Sequence, residues 1–357
     1  MLGKMRLPKF QSRALKYGYS NARVRGMKGL LLNSNALNEL IKVGTIEGMA
    51  ELLQRTGYKN ELASSSVAFS GSELIEAASA SNFARAVQKL IKITPKDDAA
   101  PLQALLLKWE LMNLKTLMHA RKLSRSYDEV KAQLFPVGGL SEDDFKILLK
   151  ADDKDLLSEL RRTGLWTLLS SRQKMRGAME SAMKNADAFF RMESAIDGGA
   201  YLIMDSALAS HGSEVSRIRK IMKREIDAKN VLIIERLKKR MDRGRVMKSL
   251  IPGGTMNESM IGMIMDSRDM AGLASVIKTK FPGISVKDDK LTNLEIALER
   301  SIAAQKVSAF HSAILSVGVI IGFMLLKEEE VNNLRKIAKG KEFNMTEGEV
   351  REMLVVV

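Results

Sequence analysis

An asparagine opens a basic, amphipathic stretch four times in this chain: at Asn21 (NARVRGMKGLLL), Asn113 (NLKTLMHARKLS), Asn230 (NVLIIERLKKRM) and, shortened, Asn333 (NLRKIAKGK). The intervals are 92, 117 and 103 residues, each about the length of a small domain. Other marks keep the same order. LFPVGG at 134–139 places Pro136 23 residues after Asn113, and LIPGG at 250–254 places Pro252 22 residues after Asn230. LQRTG at 53–57 is echoed by LRRTG at 160–164. Such long periods exceed those of solenoid repeats and indicate a triplicated domain. The sequence therefore divides into units 1–112, 113–229 and 230–332, with 333–357 as a partial repeat closing the last domain. The competing account is coincidence among common helix formers.

Apolar residues fall at helical spacing: Val24, Met27 and Leu31; Leu114, Leu117 and Met118; Phe145, Leu148 and Leu149; Ile234, Leu237 and Met241. Ser70 with Glu73, Ser141 with Asp144 and Thr346 with Glu349 have the capping-box spacing of helix starts. Gly and Pro gather at 94–101, 136–141, 252–257 and 281–289, which read as turns between helices. An all-α fold follows, and 45% hydrophobic residues in 357 supply ample core. With no Cys, thiolate catalysis and Cys-ligated zinc are excluded. The basic N-terminal residues precede no apolar core of the kind that a secretory signal needs. The 14 uncharged residues at 313–326 are fewer than the ~20 that span a bilayer. A buried helix is the reading preferred over a membrane-touching one.

No residue set converges on chemistry. His119, His211 and His311 lie far apart in different surroundings. The pairs Gly138–Gly139 and Gly253–Gly254 lack the order of a phosphate loop and read as helix-connecting turns. Asp143–Asp144 and Asp152–Asp153 are neighbours on a helix, about 100° apart, so they do not face one substrate. No catalytic, cofactor-binding or metal-ligating residue is expected.

Charge is the remaining signal. A formal net charge of +15 predicts attraction to an anionic partner: nucleic acid, an acidic protein face or anionic lipid. Candidate partner-facing residues are Arg23, Arg25 and Lys28; Lys115, Arg121 and Lys122; and Arg236, Lys238, Lys239 and Arg240, with Arg335, Lys336 and Lys339 in the closing pattern. The alternative is that they form solvated helix faces. Aromatic residues make up only 5%, so the stacking rings of single-strand readers are scarce and nucleic acid is not the expected partner.

The stretches YGYSNARVRGMKGLLL at 17–32, WELMNLKTLMHARKLS at 109–124, LFPVGGLS at 134–141 and KEEEVNNLRKIAKGKEFNMTEGEVREML at 327–354 together resemble the C subunit of archaeal A-type ATP synthases, which is related to the d subunit of V-type ATPases. The resemblance runs nearly end to end, and the closing motif is its most specific piece. The chain departs from the family pattern just before that motif, reading SVGVIIGFMLL at 316–326 where a proline and a tyrosine are expected. The resemblance implies three similar helical domains around a pseudo-threefold axis, forming a funnel. It also implies a noncatalytic part that joins the membrane proteolipid ring to the central rotor shaft, coupling proton or sodium transport to ATP synthesis or hydrolysis. Its partners would be that ring, the shaft subunits and, by surface contact, the membrane, on whose cytoplasmic face it would sit as a peripheral protein. A basic helical-repeat RNA-binding protein is the alternative.

Overall fold

The computed structural model describes residues 9–152, 154–170, 189–209, 213–286 and 288–355. His211 and Asp153 lie outside the described residues. Among those described, the regular elements are helical and no strand is present.

The chain begins with α1 (Lys9–Lys28), α2 (Ser34–Lys42), α3 (Ile46–Leu53), α4 (Lys59–Ser65) and α5 (Gly71–Ile93). It continues with α6 (Ala99–Lys122), α7 (Tyr127–Val130), α8 (Glu142–Lys150), α9 (Leu156–Arg161), α10 (Gly164–Ser170) and α11 (Phe189–Ala209). The third stretch holds α12 (Ser213–Leu237), α13 (Arg243–Lys248), α14 (Glu258–Asp266), α15 (Met270–Ile277) and α16 (Leu291–Ser312). It is followed by α17 (Val317–Glu342) and α18 (Glu347–Met353). Long helices thus alternate with groups of short ones. The capping boxes at Ser141 and Thr346 are formed, whereas Ser70 makes no such bond.

Each repeated asparagine is buried inside a long helix and turns its amide on a passing loop. Asn113 on α6 donates to the Phe135 carbonyl at 2.6 Å and accepts from the Phe135 N–H at 2.8 Å. Asn230 on α12 does the same to Ile251 at 2.9 and 2.7 Å, and Asn333 on α17 to Val355 at 2.7 and 3.0 Å. A primary amide is the one neutral side-chain group that matches a peptide unit donor for acceptor. The loop groups lie where water cannot serve them, so they need that match.

Two further contacts keep the same register. Three residues before each asparagine, an acid accepts backbone N–H groups just ahead of a short helix. Glu110 accepts from Gly139 at 2.5 Å, Asp227 from Thr255 at 2.7 Å, and Glu330 from Leu32 at 2.5 Å. Eight residues after each asparagine, a base donates to the last carbonyls of that short helix. Arg121 reaches Leu148 O at 3.1 Å, Lys238 reaches Ser267 O at 3.0 Å, and Lys341 reaches Ile41 O at 3.0 Å. Helix C-termini leave such carbonyls unsatisfied and favour cations. The helices so held are α8, α14 and α2.

The glycine pairs are turns, as read from sequence. A Cβ on Gly254 would overlap the Asp227 carboxylate, and one on Gly139 would press on Glu110. Gly253 adopts φ +99°, which L side chains rarely take.

The sequence places 333–357 at the close of the last unit, where Arg300 of α16 donates to the Glu352 carbonyl at 2.7 Å and Glu299 pairs with Lys336, and the packing joins it to the first as well. Leu334, Ile337, Ala338, Val350 and Leu354 share one apolar cluster with Leu37, Leu40, Met49, Leu62 and Ile75. The reason is the register just described: the acid and the base flanking Asn333 hold the two ends of α2. Asn21 differs from the other three. It clamps Ser316, 295 positions away, at 3.1 and 3.0 Å, while Gly18 and Gly29 stand where its flanking acid and base would be. A second cluster, with Val231, Ile234, Ile261, Leu273 and Leu298, belongs to α12–α16. The largest runs from α5, α6 and α8 to the first half of α17, whose residues Val317–Leu326 are all buried. The 313–326 run is therefore an interior helix segment over most of its length. No helix among the described residues is long and apolar enough to cross a membrane.

Replacing Asn230 by Ala removes both bonds and leaves the Ile251 N–H and C=O without partners; we expect a loss of about 2–4 kcal/mol. Urea denaturation measures it. Asn332→Ala, one position before an equivalent clamp and only half-buried, is expected to stay within about 0.5 kcal/mol. Equal losses at both positions would show that the clamp is not what matters.

Candidate functional site

Five positions before the asparagine, α6 carries Lys108, α12 carries Glu225 and α17 carries Glu328, and these three side chains meet. Lys108 Nζ lies 2.5 Å from Glu328 and 3.5 Å from Glu225. Lys306 from α16 joins them, 2.8 Å from Glu225, 2.7 Å from Glu329 and 4.0 Å from Glu328. Three positions further back, Leu105, Met222 and Leu325 occupy a common register beneath the charges and line one small apolar cleft. The same faces of three helices thus converge, apolar below and ionic above.

Three carboxylates face two ammonium groups here, and the Lys306 side chain is only 3% exposed. Burial pushes Glu225 up, but Lys108 and Lys306 override it and hold the carboxyl near about 2. Burial likewise opposes the charge on Lys306 and is outweighed by Glu225, Glu328 and Glu329, which raise it well above its ordinary value. The acid's depressed value means that its stabilising contribution is present above the ordinary carboxylate range and is lost as pH falls toward 2. The raised lysine contributes below its ordinary value and loses that contribution only in strong alkali. Glu225 and Lys306 therefore stay charged across the neutral range.

Above the charges opens a cavity of about 380 Å³. One wall comes from α12 and α16, with Ala228, Leu232, Leu298 and Ile302 interspersed with Lys229, Glu295 and Glu299. The facing wall is polar and comes from α17, with Asn332, Arg335 and Lys336. Lys336 is paired with Glu299 at 2.5 Å. Arg335 lies 5.5 Å from the Phe135 ring, and among the described residues no carboxylate pairs with it.

The candidate partner-facing residues fall into four groups. Arg121 and Lys238 are half-buried helix caps, occupied by backbone carbonyls, and not partner-facing groups. Arg25 donates to Ala313 O at 3.3 Å, and Arg236 pairs with Glu295 at 3.7 Å, both at the surface. Arg23, Lys28, Lys122, Lys239 and Arg240 are exposed. Lys115 is half-buried, in the register of Leu232 and Arg335. The ionic residues were not singled out from sequence, because KEEE at 327–330 looks like the solvated end of an apolar run. The structure buries all four of its side chains. A constant offset of five from the asparagines would have found Lys108, Glu225 and Glu328. Among the described residues no group of His, Cys, Asp or Glu is placed to hold a metal ion.

Glu110 is the exception among the acids. One oxygen accepts from Gly139, the other is buried without a partner, and burial raises the carboxyl to about 7 against the pull of the turn amides at 138–140.

The chain was compared with known proteins. The family described as ATP synthase (C/AC39) subunit matches residues 20–353. The A-type ATP synthase C subunit of Methanosarcina barkeri is 26% identical over 96% of this chain and 93% of its own length. That of Methanosphaera stadtmanae is 27% identical over 95% and 88%. The V-type ATP synthase C subunit of Deinococcus radiodurans is 24% identical over 94% and 90%.

Two outcomes test the electrostatics. Lys306→Met leaves three buried carboxylates facing Lys108 alone and is expected to cost about 3–5 kcal/mol, measured by denaturation. Adding Glu329→Gln should recover part of it; no recovery would mean that shape, not charge, is at stake. Because the folded pKa of Glu110 exceeds the unfolded one, the native state binds the extra proton and stability falls as pH rises from about 4.5 to 7, by roughly 3 kcal/mol at most. Glu110→Gln should flatten that slope in urea titrations between pH 5 and 8. A slope that survives the substitution assigns it to another group.

The fold-wide match and the relatives agree: the chain belongs to the ATP synthase (C/AC39) subunit family.

Proposed function

We propose that this chain is a noncatalytic central-stalk subunit of a rotary A/V-type ATP synthase. It is a socket between the membrane proteolipid ring and the central rotor shaft, peripheral to the membrane on its cytoplasmic face. Through it, torque passes between ion transport and ATP chemistry. Three similar units surround a pseudo-threefold axis. The first joins α2–α5 with α17 and α18, the second holds α6–α11, and the third holds α12–α16. The observation that carries this reading is the meeting of Lys108, Glu225 and Glu328, one from the same position of each unit's asparagine helix. Three related helices that touch at one register, with a cavity opening above it between α12, α16 and α17, are consistent with a funnel.

A socket must resist rotation of its contents, and contacts spread around a rim do so with a longer lever arm than one tight central pocket. The exposed bases Arg23, Lys28, Lys122, Lys239 and Arg240 are suited to acidic partner faces or anionic headgroups, so attachment would weaken with salt. Many of the other bases that suggested nucleic acid are occupied inside the molecule, Arg121, Lys238 and Lys341 by helix ends and Lys108 and Lys306 by carboxylates.

The test is capture of the tagged chain from gently solubilised native membranes, with the bound proteins identified by mass spectrometry during a salt titration. A small proteolipid recovered with shaft and head subunits is the expected result. RNA or ribosomal proteins recovered alone would overturn it.

A further inference from the structure

The positive charge of this chain is unevenly spread. Its first 38 residues carry eight Lys and Arg and no acid, more than half of the formal net charge of +15. Six of those bases belong to α1. The inner side of α1 is tied down: Val24 joins the largest apolar cluster, Ser20 donates to the Ile93 carbonyl, and Asn21 clamps Ser316. The outer side is bare. Leu15, Tyr19, Ala22 and Gly26 follow one another at intervals of four, three and four, which sets them on one exposed face. Leu30 follows in the turn that closes the helix. Leu15, Tyr19 and Leu30 are 77, 71 and 72% exposed. At about 100° per residue, Arg23 flanks this stripe on one side and Arg25 on the other. Arg23 is exposed, and among the described residues no carboxylate pairs with it.

We propose that the outer face of α1 lies directly on an anionic lipid bilayer, with Leu15, Tyr19 and Leu30 entering the headgroup layer and Arg23 and Arg25 meeting lipid phosphates. The inference rests on the membrane-peripheral reading above and names the face that touches lipid. A segment with eight bases and no acid suits a surface of one sign, which anionic headgroups present and a protein face of mixed charge does not. Large apolar side chains held out in water gain by entering the boundary of the acyl region, whereas a nucleic-acid backbone has no use for them. A tyrosine, apolar in its ring and polar at its hydroxyl, matches that boundary. The face is already formed in the folded chain, so little ordering opposes its binding.

Flotation of the isolated full chain with vesicles tests the contact. The chain should float with vesicles of equal parts phosphatidylglycerol and phosphatidylcholine, not with phosphatidylcholine alone, and should be released between about 0.1 and 0.5 M salt. Arg23→Glu, and separately Leu15→Ser with Tyr19→Ser, should each weaken partition about tenfold with the unfolding midpoint kept. Arg268→Glu makes the same change of charge at another exposed position and should stay within about twofold. An equal loss at Arg268 would assign the attraction to net charge and overturn the α1 face. No flotation, with proteolipid and shaft subunits still captured from native membranes, would overturn the lipid contact and leave the socket standing. Flotation without that capture would support the lipid contact and overturn the socket.

Discussion

A buried backbone amide must find a partner, and in this protein a side-chain amide supplies it at the points where the chain has no regular ladder to offer. The loops ending at Phe135, Ile251 and Val355 pass long helices at a depth that excludes water, and Asn113, Asn230 and Asn333 give each a donor and an acceptor together. Once the amide is satisfied, the loop's depth and direction are set, and the short helix beyond it has one place to go. The acid three positions before the asparagine and the base eight positions after it then hold the start and the end of that short helix. One helix face thus fixes three points of a neighbouring segment, using groups whose loss would leave buried polarity behind. Apolar packing alone does not discriminate so sharply, because greasy surfaces tolerate sliding and repacking.

The same helices present a second face to one another. Leu105, Met222 and Leu325 meet first, and one turn above them the ionic residues take over. This succession explains how a helix as charged as α17 remains buried over most of its length. Its apolar half packs among α5, α6 and α16, where Gly322 allows a close approach to Phe310. The KEEE that follows meets pre-placed cations and a tyrosine: Lys108 and Lys306 for Glu328 and Glu329, and Lys327 with Tyr58 for Glu330. Burial of Glu328 and Glu329 is offset because cations arrive on other elements, whereas Lys327 and Glu330 pair within α17 and share the Tyr58 hydroxyl.

Helix class, the turns at the glycine pairs, the caps at Ser141 and Thr346 and the structural use of the asparagines were all legible in the sequence. They depend on local chemistry and on a repeat that keeps its order. What sequence spacing left open was which helices pack together. Asn21 has the same surroundings in the text as the other three, yet lacks the flanking acid and base, and only those distinguish a unit-forming helix from one that clamps Ser316. Linear order suggested that 333–357 completes its neighbour in sequence; the segment does bond to Glu299 and Arg300 of α16, and it also reaches α2 some 300 positions away. Among the bases, charge pattern identified which residues are cationic but not which cations already have a carbonyl or carboxylate. Lys238 looks the same as its neighbour Lys239 until the end of a short helix is brought beside it.

The choice of charges at the meeting point bears on how a chain of similar units assembles. Apolar residues of equal volume would hold three helices together as well or better, since buried ion pairs often add little net stability. They would also hold them in any arrangement. With Glu225 on one helix and Glu328 with Glu329 on another, α12 and α17 cannot pack face to face without both Lys108 from α6 and Lys306 from α16 between them. Docking a wrong unit in a seat would bring like charges together out of water, at a cost that the right arrangement avoids. Helices that carry the same amide clamp create the risk of exchange between seats, and unequal charge at one shared register removes it.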